Sequence, residues 1–508
     1  MILARTEARS EASPQRTAKP ESLALLRDLF ARLHAASVRY CHWKSNEHLA
    51  ASMRGVTDLD VLVDRADAAP LARVLAELNF KRFQVQPGLG YPGVEDYVGF
   101  DVDSGALVHF HLHYQLTLGE KFLKGYRLPW EKLVLATRIV DPHFGIYIAE
   151  PNLELLLLMV RATLKIRLRD MVVALHRPFF SGAWLRERGW LVARMEVRQL
   201  HQLAESLLGP TAASRLVALV QEPTPTLRAL RAFRMSIVPS ISEYRLYEPL
   251  DALWRRWARE AIWTGRSLRQ KYLGGPPRST RRSPHGGLVI AIVGPDGAGK
   301  TTVAATITKW LSREAAVLPL YGGSGTGPIS LPRRVLEWLA GASRGKRTAA
   351  TAPGRASPLR RLGRALWALA LARERAQWAR RVRRARGLSI IVLSDRFPQS
   401  QFPGLNDGPH LAHWHDDRSV LCRAAARLEA ATFRAVERCP PDLVIRLRVS
   451  AHVALQRKPA TPVVQLRRKI ELATQIAYPA DTHVVDIGAE SALEHVLLDV
   501  KRAVWGHV

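Results

Sequence analysis

Cysteine is nearly missing from this sequence: its 508 residues contain three, Cys41, Cys422 and Cys439, set far apart and outside any CxxC or Cys/His pattern. That scarcity excludes a disulfide framework, argues against structural zinc and suits a reducing, cytoplasmic setting. Long apolar runs are missing too. The best, residues 155–160 and 365–372, fall well short of the ~18 residues that a membrane-spanning helix requires. The first twenty residues hold no apolar core of the kind a secretory signal needs. The expectation is a chain without a transmembrane segment, at most peripheral to a membrane. Acid is in short supply as well: 45 Asp and Glu face 75 Lys and Arg, a net charge of +30. Such an excess calls for an anionic partner, whether nucleotide, nucleic acid or acidic lipid. Its distribution narrows that reading. Residues 333–386 hold sixteen Lys or Arg against two Glu, a net +14, so the charge speaks for one segment more than for the whole chain. That segment has only Trp338, Trp367 and Trp378 as aromatics, too few for regular stacking on single-stranded nucleic acid.

At ~150 residues per domain, the length suggests about three domains. Residues 1–20 read as a disordered leader. Helical spacing over 21–35, a strand at 61–63, a helix over 70–79 and strands at 81–85, 96–102 and 107–114 outline a small α/β domain spanning 21–150. From Pro151 the pattern is helical to about residue 273. The last helix of that stretch sets Leu250, Trp254, Trp257, Ala261, Leu268 and Tyr272 along one stripe, with Arg255, Arg256, Arg259, Arg266 and Arg269 elsewhere. Packing of the stripe against its own domain is the favoured reading, and docking on an anionic membrane is the other. Residues 274–286, rich in Gly, Pro and Ser, have linker composition. Beyond them, short apolar runs at 288–293, 317–321, 389–394, 443–447 and 483–487 alternate with helical stretches, which predicts a parallel, doubly wound sheet buried on both faces. The stretch from about 325 to 388 is longer than a crossover needs. Within it 341–358 reads as disordered and 359–386 as helical. No internal repeat is visible, and the oligomeric state, monomer or homo-oligomer, is open.

One motif carries chemistry directly. A buried strand runs into Gly294-Pro-Asp296-Gly297-Ala298-Gly299-Lys300-Thr301-Thr302 and a helical pattern follows, the strand–loop–helix context of a phosphate loop. Its backbone N–H groups converge on phosphate oxygens, Lys300 reaches the β- and γ-phosphates and Thr301 can ligate Mg2+, which makes ATP with Mg2+ the expected cofactor. Downstream stand Ser394-Asp395-Arg396-Phe397 at a strand end, Pro440-Pro-Asp-Leu-Val-Ile-Arg-Leu, and Ala454-Leu-Gln-Arg457-Lys458. In this order, over 287–508, the motifs resemble thymidylate kinase, a P-loop nucleoside-monophosphate kinase. The resemblance implies that Asp296 faces the sugar hydroxyl of an acceptor nucleotide, that Asp395 organises Mg2+ or its water, and that Arg396 holds the acceptor phosphate. Because the loop itself lacks Arg, the cation for the transition state must come from elsewhere; the resemblance puts Arg457 and Lys458, or Arg467 and Arg468, where the family's lid would be, with a solvated helix face the other reading of Arg467 and Arg468. One departure stands out: residues 398–409 replace the helix with which the family reads its base.

The N-terminal part offers a second resemblance. Tyr40-Cys-His-Trp-Lys-Ser-Asn46, followed by Arg54-Gly-Val-Thr-Asp58-Leu-Asp60-Val-Leu-Val63, resembles the nucleotidyltransferase superfamily, in which Asp58 and Asp60 would hold the metal of an incoming nucleotide. A third carboxylate belongs on a neighbouring strand, where this sequence has His109, His111 and His113. Three readings stand: the histidines act as ligands, Asp101 or Asp103 supplies the acid, or the site is degenerate and structural.

These features support phosphoryl transfer to a nucleoside monophosphate, dTMP first, with nucleotide substrates as partners. The alternatives are a kinase for another small phosphorylated or hydroxylated acceptor, and an ATP-responsive binding protein whose basic insert contacts nucleic acid or anionic lipid.

Overall fold

The computed structural model describes residues 21–86, 89–120, 122–166, 180–273, 281–323, 358–403, 407–459 and 461–508. Among them the architecture is α/β, with a mixed sheet, a parallel sheet and many helices. No helix among the described residues is long and apolar enough to cross a membrane.

The first half contributes β1 (Tyr40–His42), β2 (Leu59–Val63), β3 (Lys81–Val85), β4 (Val94–Phe100), β5 (Leu107–His113), β6 (Leu116–Leu118), β7 (Tyr126–Leu128), β8 (Ile139–Val140) and β9 (Tyr147–Ile148). With β10 (Arg281–Arg282) they build an eight-stranded sheet in the order β10-β3-β4-β5-β2-β1-β9-β8, while β6 and β7 pair separately. Period-2 alternation decides which side chains meet. Leu59, Val61 and Val63 of β2 and Val108, Phe110 and Leu112 of β5 enter one apolar core with the helix Ala24–Ala35. The opposite face therefore carries Asp60, His109, His111 and His113, and the register sets His111 between Asp60 on β2 and Asp96 on β4.

Two sequence readings change here. Asp101 and Asp103 do not supply a third carboxylate, because β4 ends at Phe100; Asp101 instead accepts hydrogen bonds from Leu25 N and Ser104 N, tying a turn to the first helix. The acid on that face is Asp96. The end of the expected linker is also structured, since Arg281 and Arg282 add an edge strand on β3; residues 274–280 lie outside the described ones.

The helical middle starts at Pro151–Lys165, whose N-terminus is capped by the Glu150 carboxylate accepting from Asn152 N and Leu153 N. Leucines on all sides of this helix are buried, and the helices Gly182–Val192, Val197–Leu208, Pro210–Gln221 and Leu227–Ile241 close around it in one cluster. The last helix, Pro249–Leu273, behaves differently from the favoured reading: Leu250, Trp254, Trp257 and Leu268 are all exposed. Its inner face is the polar one, where Arg256 meets Glu120 and Arg259 reaches Gly90 O.

Glu154 lies fully buried in Pro151–Lys165, accepting from Asn46 N at 3.0 Å and Asn46 Nδ2 at 2.7 Å. Burial outweighs those donors and pushes the carboxyl up to about 7. A folded-state value raised above the unfolded one contributes stability that is complete below about pH 4.5 and is lost as pH rises through 7. Glu154→Gln, neutral throughout, should flatten the fall in urea midpoint across that window, a difference of up to about 3 kcal/mol at the alkaline end. Parallel slopes in the two proteins would refute the assignment.

The second half forms a sheet of β11 (Val289–Val293), β12 (Val317–Tyr321), β13 (Ile391–Asp395), β14 (Leu443–Arg448) and β15 (His483–Gly488), ordered β12-β13-β11-β14-β15, with every pair parallel. Helices cover both faces. Ile290, Ile292, Leu393 and Ile445 pack on Lys300–Leu311 and Leu493–His507, while Val289, Val392 and Leu320 pack on Pro358–Arg386 and Val420–Glu437. The basic helix Pro358–Arg386 is thus part of this layer. It buries Leu371, Trp378 and Val382, sinks Arg375 against Glu429 at 3.6 Å, and pairs Arg386 with Asp442. The remainder of the basic segment, 324–357, lies outside the described residues.

The two sheets share apolar contacts. Phe83, Val98, Phe100 and Leu107 from the mixed sheet belong to the same core as Val303, Ile307 and Trp505. Trp310 Nε1 also donates to Gly105 O at 3.0 Å.

Candidate functional site

The phosphate loop leaves β11 at Gly294 and enters the helix Lys300–Leu311 through Gly299. Glycine is required at two points. A Cβ on Gly294 (φ +147°) would stand 2.6 Å from Leu447 O, and one on Gly297 (φ +83°) would stand 2.6 Å from Ala454 O, so the loop lies flush on its neighbours in a backbone conformation that L side chains resist. Ala298 is buried beneath it, while Thr301 and Thr302 face outward on the first helical turn.

Lys300 is 6% exposed, and its Nζ donates to Pro295 O at 2.7 Å. Burial, together with the nearby Arg396 guanidinium, pushes it down to about 8. Thr301 Oγ1 donates to Asp395 Oδ2 at 2.8 Å, bringing the end of β13 to the start of the helix. Asp395 Oδ1 is buried with no hydrogen-bond partner among the described residues. A hydroxyl and an orphaned carboxylate oxygen side by side are hard oxygen donors of the kind Mg2+ takes, and the residues present fit that ion.

Across the loop, Asp296 Oδ2 accepts from Lys469 Nζ at 2.7 Å, and Arg396 Nη2 stands 3.5 Å from Asp296 Oδ1. Burial alone would raise the Asp296 carboxyl, yet Lys469, Lys300 and Arg396 hold it at about 2. Arg396 sits in the left-handed region at φ +73°, with its amide donating to Ile292 O and its Nη1 3.6 Å from Asp407 Oδ2. Asp296, Lys300, Arg396, Phe397, Asp407 and Lys469 line one cleft, which Tyr478 and His410 help to enclose.

Three of the cations singled out in the sequence, Arg457, Arg467 and Arg468, stand outside this cleft. Arg457 does not line the cleft; its Nη1 donates to Ala489 O at 2.8 Å and reaches Gly297 O at 3.5 Å, bracing the loop from behind. Arg467 and Arg468 are exposed, and the neighbouring Lys469 faces Asp296 instead. Helical phase explains this: Leu466 and Ala473 are buried, and Lys469 follows Leu466 by three residues on the same face. Thr301 and Asp395 are hydrogen-bonded to each other, whereas Asp58 and Asp60 do not share a partner. Asp58 pairs with His109 and Asp60 with Lys44.

No family model matches the chain. It is 28% identical over 225 residues to an Escherichia coli K12 protein named "Uncharacterized ATP-binding protein YghR", a match covering 42% of this chain and 86% of that protein. A second E. coli K12 protein, "Uncharacterized ATP-binding protein YghS", is 25% identical over 232 residues, covering 42% of this chain and 92% of its own length.

Proposed function

We propose that residues 287–508 form a doubly wound P-loop kinase domain that binds Mg·ATP and transfers its γ-phosphoryl group to a nucleoside monophosphate, dTMP first, as thymidylate kinase does. ATP binding is supported by the loop geometry and by the names of the two E. coli relatives. The observation that carries the acceptor is the cleft beyond the loop, where Arg396 and Lys469 converge on Asp296 opposite Lys300 and Thr301. Bringing two anionic phosphates together is chiefly a problem of positioning and charge, and these cations face the place where the second phosphate would enter. Phe397 and Tyr478 in the same cleft offer aromatic faces to a planar base.

In this mechanism Thr301 and Asp395 would hold Mg2+, which when bound would supply charge neutralisation on the transferring group. Lys300 leaves Pro295 O for phosphate oxygens, Arg396 and Lys469 hold the acceptor phosphate, and Asp296 accepts from an acceptor hydroxyl. The mixed sheet reads as nucleotidyltransferase-like on its Asp58–Asp60 strand alone. Nucleotidyl transfer is not part of the proposal, because those two carboxylates have separate partners.

The test is turnover. Purified protein with Mg·ATP and labelled dTMP should yield dTDP and ADP, and a panel of monophosphates and sugars should show dTMP with the highest kcat/KM. Transfer to another acceptor only would move the assignment to the wider class of small-molecule kinases. Absence of turnover with every acceptor would remove it.

A further inference from the structure

On the face of the mixed sheet turned away from its core, His111 and His113 of β5 meet Asp60 of β2. Three contacts close a triangle: His111 Nδ1 lies 2.8 Å from Asp60 Oδ1, His113 Nε2 lies 3.4 Å from the same oxygen, and the two ring nitrogens lie 3.3 Å apart. Hydrogen bonds serve this triangle poorly. If both inward nitrogens carry protons for Asp60, the two N–H groups confront each other; if either is bare, it sets a lone pair against the carboxylate. A metal ion removes the conflict, because all three atoms then offer lone pairs to one centre. With metal–ligand bonds of ~2.0–2.1 Å, tetrahedral donors stand about 3.3 Å apart, close to two of the three edges observed.

We propose that Asp60, His111 and His113 form a mononuclear site for a first-row divalent transition metal, with Zn2+ as its reference ion. Two imidazoles and one carboxylate select for this class, whereas Mg2+ prefers an all-oxygen shell. The site differs from the two-carboxylate arrangement that the Asp58–Asp60 strand suggests by resemblance. Asp58 Oδ1 is taken by His109 Nδ1 at 3.0 Å, His109 Nε2 faces Asp96 at 2.7 Å, and Arg281 links Asp96 to Glu314. In that second group of potential ligands, Asp58, His109 and Glu314, the His109 ring is held between two carboxylates and a guanidinium sits on Glu314. The Asp60 site borders a cleft lined by Tyr91, Asp96, His111, Arg281 and Arg313, whose arginines suit an anion as the remaining ligand.

Lys44 supplies a discriminating handle. Its Nζ donates to Asp60 Oδ1 at 2.7 Å, the oxygen that the ion needs, so ammonium and metal compete for it. The full chain, stripped with chelator and titrated with Zn2+ without nucleotide, should retain one equivalent after gel filtration and melt at a higher temperature; Mg2+ should produce neither effect. His111→Ala, a change at a partly exposed ring, should weaken Zn2+ at least ~10-fold, and His111→Ala/His113→Ala should lose the equivalent while circular dichroism stays folded. Lys44→Met should bind Zn2+ more tightly than the parent. Co2+ in place of Zn2+ should give visible absorption bands that His111→Ala alters, a readout independent of stability. The proposal is overturned by a wild-type chain that retains no stoichiometric Zn2+, or by folded histidine variants that keep the parent's stoichiometry and affinity.

Discussion

Lys300→Ala is expected to lower ATP-dependent phosphoryl transfer by at least ~10³-fold, the range found when a fixed charge or donor is taken from a developing phosphoryl or oxyanion site. Its ammonium is the cation contributed by the loop itself, buried to 6% exposure and held within reach of the loop's own carbonyl at Pro295. Removing it deletes one hydrogen bond, worth about 1 kcal/mol, so the fold should persist. Initial rates of ADP formation, beside a thermal melt, read both quantities. A folded variant with unchanged rate would dismiss the loop as the reacting site.

The second large effect concerns Arg396. Alanine there would remove the guanidinium and leave the left-handed backbone at φ +73°, which costs a non-glycine residue about 1–2 kcal/mol. Arg396→Gly separates the two contributions. It relieves the backbone, which offsets part of the ion pairing lost with Asp296 and Asp407, while erasing the cation. The expected outcome is a folded protein with kcat/KM for the acceptor reduced ~10²–10³-fold and nearly unchanged ATP affinity. Equal losses for ATP binding and acceptor turnover would mean that Arg396 supports the loop and does not hold a second substrate. Lys469→Met should fall in the same direction by a smaller factor, because one of two cations remains.

The elements around Lys300 were legible because the local signals agree. An apolar strand run, glycines at the bend and a helical period after Lys300 all point one way, and the five parallel strands fall within two residues of their expected limits. What escaped depends on long-range placement. Asp96 could not be singled out because its role rests on the antiparallel register that seats it opposite His111. Lys469 was hidden by two adjacent arginines, since naming a basic cluster does not fix which member faces inward until the buried Leu466 sets the phase. The strand at Arg281–Arg282 has two residues and no apolar period, and only its partner β3 defines it. The tryptophans of Pro249–Leu273 show the opposite failure. An apolar stripe predicts a covered face, yet here Arg256 and Arg259 hold the helix to the body and Trp254 and Trp257 face outward.

The helix that begins at Lys300 ends against the other sheet. Trp310 stacks edge-on with Phe100 at 5.9 Å, Phe100 also meets Trp505 at 5.9 Å, and Lys81 Nζ donates to Trp505 O. With so much apolar surface held in common, neither sheet can melt while the other stays intact without exposing it, so heat should dismantle both in one cooperative step. A triphosphate gripping one end of that helix then protects the mixed sheet against denaturation without touching any of its atoms.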